Sequence, residues 1–304
     1  MTSSRTLKDR LDAGEFVITS EVTPPLSADP ADLKHMAMPL RGLADAVNVT
    51  DAASSRVHMG ALASASLLAS WGIEPILQLT CRDRNRIALQ GDLLGAAALG
   101  IRNLLILGGD DPKAGDQPDA KPVFDLDSIS LADTARRMRD EHTLPNGRSI
   151  AGSCDFLIGG ADTPFEIKPG WKPDRIAAKH KSGVTFVQTQ FAMDAGLVRR
   201  YIARLEEAGL VPSMRYLIGV APLRSAKSAR WMREKLYGTV IPDEIVARLD
   251  QAKEPEAEGI KICTDLIAEL ATIRGVAGAH VMAPRNEDAI AQVITAAKKA
   301  VGRS

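Results

Sequence analysis

A chain of 304 residues, 45% hydrophobic and 25% charged, has ordinary globular composition, and its length suits either two small domains or one α/β barrel. Thirty-eight basic and 38 acidic side chains cancel and only 4% of residues are aromatic, so no field for nucleic acid or anionic membranes and no base-stacking platform is expected. No apolar run reaches bilayer-spanning length, residues 1–10 are polar, and Cys81, Cys154 and Cys263 form no C-x-x-C pair; the expectation is a cytoplasmic protein without a metal or disulfide framework.

After a polar leader, residues 16–22 read as the first strand, stopped by Thr23-Pro24-Pro25. Asp29-Pro30-Ala31-Asp32 opens a helix, with proline at its first position and acids in its first turn. A second strand covers 46–50 and its helix 58–70; a third covers 74–80 and its helix 83–99. The fourth, 104–107, is a short apolar run of the kind buried on both faces, and it ends in Gly108-Gly109-Asp110-Asp111. A polar segment, 113–127, leads to a helix at 131–139.

The fifth strand spans 156–160, with a short strand at 149–153 as an optional prelude, and its helix 173–181. The sixth spans 184–190 with helix 196–208, and the seventh 214–220 with helices at 225–235, 242–252 and 256–273. The eighth spans 277–283 and is closed by a helix at 287–301. Eight strands alternating with helices, without a linker, imply parallel pairing through right-handed crossovers. The expected fold is therefore α/β, a single-domain (β/α)₈ barrel over residues 1–304, rather than an open doubly wound sheet; neither G-x-G-x-x-G nor G-x-x-x-x-G-K-[ST] occurs.

Such barrels place their sites at the carboxyl ends of the strands. Those ends carry Glu21, Thr50, Gln78 with Thr80, Gly108-Gly109-Asp110, Gly159-Gly160-Ala161, Gln190, and Arg285 just beyond the eighth strand. The absence of a His cluster argues against zinc hydrolysis, and the absence of a strand-terminal Lys argues against a Schiff-base aldolase. An acid enclosed in a barrel mouth is suited to proton donation; the bland alternative for Glu21 is an ion pair. Asp110 either orients a polar heterocycle or caps a turn, which Asp111 would serve equally well. A buried Gln190 amide needs partners that a ligand can supply. The glycines let a ligand approach the backbone closely. His58 and His180 read as surface residues, Trp71, Trp171 and Trp231 as packing, and the run Arg82-Asp83-Arg84-Asn85-Arg86 as a solvated helix start able to hold phosphates.

Several segments, in order along nearly the whole chain, together resemble the methylenetetrahydrofolate reductase family. They are Ser20-Glu21-Val22-Thr23-Pro24-Pro25, Asn48-Val49-Thr50-Asp51, Gln78-Leu79-Thr80-Cys81-Arg82-Asp83-Arg84-Asn85, Asp92-Leu93-Leu94-Gly95, Leu99-Gly100-Ile101-Arg102-Asn103, Gly109-Asp110-Asp111-Pro112, Gln188-Thr189-Gln190-Phe191 and Pro222-Leu223-Arg224-Ser225. The Thr-Cys-Arg-Asp-Arg-Asn and Pro-Leu-Arg-Ser segments are most similar to the bacterial branch in which this reductase is fused to a homocysteine methyltransferase.

The resemblance implies reduction of 5,10-methylenetetrahydrofolate to 5-methyltetrahydrofolate by NADH or NADPH through FAD, in a ping-pong relay serving one-carbon metabolism and methionine biosynthesis. It implies Glu21 as general acid and Asp110 as a catalytic and pterin-contacting residue. Gln190 and Arg285 become folate-binding positions. Thr50, Asp51, Gln78, Thr80, Gly108, Gly109, Asp110, Ala161 and Lys179 fall at or beside flavin-contacting positions, with no metal. The partner is a small folate, with a homo-oligomer compatible with the family. The departures are Gly108 for arginine, Gln78 for histidine, Ala161 for tyrosine, Lys172 and Arg175 for an aspartate and an asparagine, and Ala226 for an aromatic. They leave open a flavin-free reductase passing hydride directly from NADH, a flavin- or folate-binding subunit needing a second protein for electrons, and a folate-binding or corrinoid methyl-transfer role.

Overall fold

The computed structural model describes residues 5–283 and 287–303. Its eight strands are β1 (Val17–Val22), β2 (Ala46–Val49), β3 (Pro75–Thr80), β4 (Asn103–Leu107), β5 (Leu157–Asp162), β6 (Phe186–Phe191), β7 (Arg215–Val220) and β8 (Val276–Val281). Each pairs in parallel with the next, and β8 pairs with β1, so the sheet closes in sequence order into the expected (β/α)₈ barrel. The surrounding helices are α2 (Pro30–Ala37), α3 (Ala61–Ser70), α4 (Arg86–Ala98), α5 (Ser128–Asp140), α6 (Asp174–Lys181), α7 (Ala195–Glu207), α8 (Ala226–Lys235), α9 (Asp243–Gln251), α10 (Pro255–Leu270) and α11 (Glu287–Ala300). Their starts follow local chemistry: the side chains of Asp29, Asn85, Asp194 and Ser225 each accept from backbone N–H groups of the first turn.

Two expectations need correction. The polar leader contains a helix, α1 (Leu7–Asp12), closed by a capping box between Thr6 and Asp9. Its Leu7 and Leu11 are buried with Val17, Ala46, Ile76, Leu105, Leu157, Phe186 and Leu217, the lowest inward-facing layer of the barrel. The helix therefore plugs the end opposite the strand C-termini, and each leucine contributes about 1.5–3 kcal/mol by leaving water. The optional strand at 149–153 is only an isolated antiparallel bridge between Thr143 and Ser149. That stretch follows the Asn146-Gly147 turn and lies outside the sheet, because parallel crossovers leave no room for a further strand.

Inside the barrel, the alternation of side chains sorts residues into layers. Gly159 lets the bottom layer close: a Cβ there would come within 2.2 Å of the Phe186 ring, so that ring fills the space. Two residues further along the strands, the interior becomes polar, with Thr19, Asn48, Gln78, Gln188 and His280, all buried. The next step brings Glu21, Thr50, Thr80 and Gln190 to the mouth. A second and larger core, built from Leu, Ile, Val and Ala, lies between the sheet and the helices.

Candidate active site at the barrel mouth

Glu21 lies near the end of β1, with its side chain 18% exposed, beside Asn48 of β2 in the sheet register. Among the described residues its ionisable neighbour is no Arg or Lys but His280 of β8, whose Nε2 lies 3.8 Å from Glu21 Oε2. Thr50 follows β2 directly and is buried, and its hydroxyl has no hydrogen-bond partner among the described residues. A buried hydroxyl without a protein partner at a barrel mouth can bond a ligand's polar atom. Gln78 of β3 is also buried and its amide makes no hydrogen bond within the described residues. Gln190 of β6 is half-buried; its Oε1 accepts from the Phe191 N–H at 3.0 Å, leaving the amide N–H₂ available.

The loop after β4 carries the glycines. Gly109 has φ 95°, and a Cβ there would sit 2.8 Å from the Arg82 Cβ and 3.2 Å from the Thr80 Cβ. Only glycine fits that backbone. Gly108 is exposed and a Cβ there would meet nothing within 4 Å. The capping alternative for Asp110 goes to Asp111, whose carboxylate accepts from the Lys113 N–H at 2.9 Å. Asp110 is exposed, and its carboxylate makes no hydrogen bond among the described residues.

Asp51 and Thr80 engage each other: the Asp51 carboxylate accepts from Thr80 N–H at 2.8 Å, from Thr80 Oγ1 at 2.9 Å, and from Arg84. This ties the ends of β2 and β3 together beneath the mouth. Ala161 at the end of β5 offers its carbonyl to Lys179 Nζ from α6. Burial pulls the Lys179 ammonium below the usual lysine range, against the opposing pull of Asp162. Asp162 faces away from the barrel interior and accepts from Tyr201 at 2.7 Å and Tyr216 at 3.2 Å; burial raises its carboxyl. Arg285 lies outside the described residues.

The arginine run is not a solvated helix start at Arg82. That side chain is 3% exposed and forks onto Asp83 at 2.7 Å through both Nε and Nη2. It also donates to Ser55 Oγ at 2.9 Å and reaches the carbonyls of Ala52 and Asp110. Arg84 bridges Asp51 and Asp92, and Arg86 pairs with Asp125 on the surface. Arg82 thereby stitches the loops after β2, β3 and β4 together. The first of these is strained, with Ala52, Ser54 and Ser55 at φ 50°, 55° and 54°. Left-handed residues other than glycine cost about 1–3 kcal/mol each and persist only when neighbours hold them. Here the Arg82 guanidinium and the Ser55 hydroxyl bond to the Asp110 carbonyl do so.

The residue that sequence reasoning overlooked is His280. Its signal was a lone ionisable side chain in phase with the inward-facing positions of β8.

A protein-family comparison matches residues 6–298 to the family described as methylenetetrahydrofolate reductase. The chain belongs to the methylenetetrahydrofolate reductase family. It is similar to a Caenorhabditis elegans protein named as a probable methylenetetrahydrofolate reductase (NADPH), with 25% identity over 239 residues, 76% of this chain and 33% of that relative. The chain thus spans about one third of that relative's length. Among solved structures it is similar to a Clostridium thermocellum protein described as binding two copies of 5-methyl-5,6,7,8-tetrahydrofolic acid, with TM-score 0.65, 15% identity, and coverage of 96% of this chain and 98% of that one. It is also similar to DmoA from Hyphomicrobium sulfonivorans, with TM-score 0.53, 11% identity, and coverage of 95% and 89%. At these identities the two structures share the fold alone with this family member. Among the described residues no helix is long and apolar enough to cross a membrane, and no group of three or more His, Cys, Asp or Glu is arranged to hold a metal.

Proposed function

We propose that the chain reduces 5,10-methylenetetrahydrofolate to 5-methyltetrahydrofolate with NADH or NADPH, as a cytoplasmic enzyme of one-carbon metabolism. The observation that carries this reading is the placement, at the strand C-termini of a barrel matched to the reductase family, of Glu21, an Asp110 carboxylate unengaged among the described residues and the available Gln190 N–H₂ group. In this reading Glu21 gives its proton to the folate nitrogen that leaves as the five-membered ring opens; a leaving amine needs that proton, and an enclosed glutamic acid can supply it. Asp110 orients the pterin, whose ring N–H groups match a carboxylate acceptor. Gln190 binds folate or nicotinamide in turn, and Arg285 pairs with the folate carboxylates.

The mouth also fits FAD. The orphan Thr50 hydroxyl and free Gln78 amide offer polar contacts, and the bare backbone at Gly108 faces open space that can admit a flat ring. Thr50, Gln78, Gly108, Gly109, Asp110, Ala161 and Lys179 would hold it, over the floor made by Asp51 and Thr80. When bound, FAD would supply hydride chemistry between nicotinamide and folate.

The test begins with the visible spectrum of the purified protein before and after anaerobic addition of NADH. A flavin spectrum that bleaches supports the relay; a colourless protein that oxidises NADH only with methylenetetrahydrofolate present indicates direct hydride transfer instead. Glu21→Gln is expected to lower folate turnover by about 10²–10⁴-fold. It should leave NADH-driven bleaching intact. Folate turnover within twofold of wild type would remove Glu21 from the acid role.

A further inference from the structure

Directly beneath Glu21, four buried polar side chains from four strands form one network that the reaction as described above does not use. Thr19 of β1, Asn48 of β2, Gln188 of β6 and His280 of β8 are at most 3% exposed. Burying such groups is costly unless each is paired, so a site that could hold valine or leucine holds amides and an imidazole for a reason beyond packing.

The hydrogen-bond directions give that reason. The Asn48 and Gln188 amides pair head to tail, Asn48 Nδ2 donating to Gln188 Oε1 at 2.6 Å and Gln188 Nε2 donating to Asn48 Oδ1 at 3.0 Å. The second Gln188 N–H points to Thr19 Oγ1 at 3.1 Å, with His280 Nδ1 at 3.3 Å. Thr19 Oγ1, accepting from Gln188, lies 3.0 Å from His280 Nδ1. The Gln188 amide nitrogen can only donate, and it lies 3.3 Å from Nδ1, which assigns Nδ1 as the acceptor nitrogen and puts the hydrogen of the neutral ring on Nε2. That nitrogen is the one 3.8 Å from Glu21 Oε2.

We propose that the network holds His280 in its Nε2–H form and makes it the positioning residue for Glu21. The inference rests on the reading of Glu21 as the acid. As Glu21 donates, its O–H bond breaks and an N–H bond forms on the folate; the imidazole keeps its own hydrogen throughout. A small rotation of the Glu21 side chain closes the 3.8 Å gap to a hydrogen bond. A bond to an ionised acceptor is roughly twice as strong as one to a neutral acceptor. The pull of His280 therefore grows as the carboxylate develops, and an interaction stronger in the transition state than in the ground state accelerates the step. Between proton transfers, the same contact keeps the Glu21 side chain turned to the barrel wall and away from bulk water.

The test compares the full chain with His280→Leu, His280→Gln, Glu21→Gln and the double variant Glu21→Gln/His280→Leu, assayed by NADH oxidation with methylenetetrahydrofolate. Leucine fills the space without a donor, and glutamine places an amide N–H₂ near the position of Nε2. His280→Leu is expected to lower turnover roughly 10–100-fold, a smaller loss than removal of a donor that touches the substrate. His280→Gln should remain within a few fold of wild type. The double variant should be no slower than Glu21→Gln alone, because a residue acting through Glu21 has nothing left to act on. Imidazole ¹⁵N spectra, with the His280 signal assigned among five histidines by its loss in His280→Gln, should show the hydrogen on Nε2. Hydrogen on Nδ1, full activity of His280→Leu, or losses that multiply in the double variant would each overturn the inference. Glu21→Gln at wild-type rate would instead overturn the acid role itself. If His280→Leu fails to fold, His280→Gln and the spectra still decide.

Discussion

Two adjacent glycines at the barrel mouth should respond in opposite ways to the same substitution. At Gly109 an added Cβ meets the Arg82 Cβ at 2.8 Å and the Thr80 Cβ at 3.2 Å, on a backbone with φ 95°. Neither neighbour can retreat, since Arg82 is locked to Asp83 and Ser55 and Thr80 is locked to Asp51. Placing an L-residue at such a φ costs about 1–3 kcal/mol. Overpacking adds about 1–3 kcal/mol. Gly109→Ala should therefore lose about 2–6 kcal/mol, or roughly 4–12 °C in Tm at about 2 °C per kcal/mol for a chain of this size. Gly108→Ala adds a methyl group to open space. Its stability should stay within about 0.5 kcal/mol, or rise slightly as the unfolded chain loses freedom. Thermal melts followed by circular dichroism at one scan rate measure both. Equal Tm losses in the two variants, or a Gly109→Ala melt within about 1 °C of wild type, would refute the reasoning.

At the opposite end of the barrel, Asp45 accepts from Arg303 at 2.7 and 2.8 Å and from the Ile18 N–H at 2.7 Å. Burial alone would raise its carboxyl, but these bonds outweigh burial and hold it below the usual carboxylate range. A depressed folded value means that the stability it contributes is present above the unfolded value near 3.9 and is lost as pH falls through the folded one. Arg303→Ala should cost about 2–3 kcal/mol at neutral pH, somewhat less than for a fully enclosed pair. It should also flatten the acid limb of the stability curve; an unchanged acid limb would count against the pair. The thiols make a second prediction. Burial, with the Asp127 charge, pushes Cys81 up to about 11, and burial also raises Cys154 and Cys263. The folded protein should resist a thiol reagent at pH 8 and yield three groups on unfolding. Rapid labelling of the folded chain would show that these side chains are accessible.

Strand and helix order was legible because each element carries its own signal. An apolar run such as 104–107 reads as a buried strand, and Asp29-Pro30 reads as a helix start. The leader helix was legible in principle, as Thr6-x-x-Asp9 with Leu7 and Leu11 four apart, but six residues carry too little periodicity to stand out. Its stability comes from plugging the barrel, which no local pattern records.

Strand–helix alternation, with parallel pairing as its consequence, was written in the sequence, as were Glu21, Thr50, Asp110 and Gln190 at strand ends, because strand ends and side-chain alternation are local properties of the chain. Which of these groups remain available follows from the closed fold. Asp51 and Asp110 look alike as aspartates after a strand. Asp51, however, binds Thr80 and Arg84 across the sheet, whereas the Asp110 carboxylate is unengaged. Likewise, Arg82 looks like a surface cation until closure folds three loops around it. His280 meets Glu21 across 259 positions of chain, because closure puts the last strand beside the first. Hydrogen bonds between residues so far apart depend on the register of paired strands, and that register is set when the sheet closes.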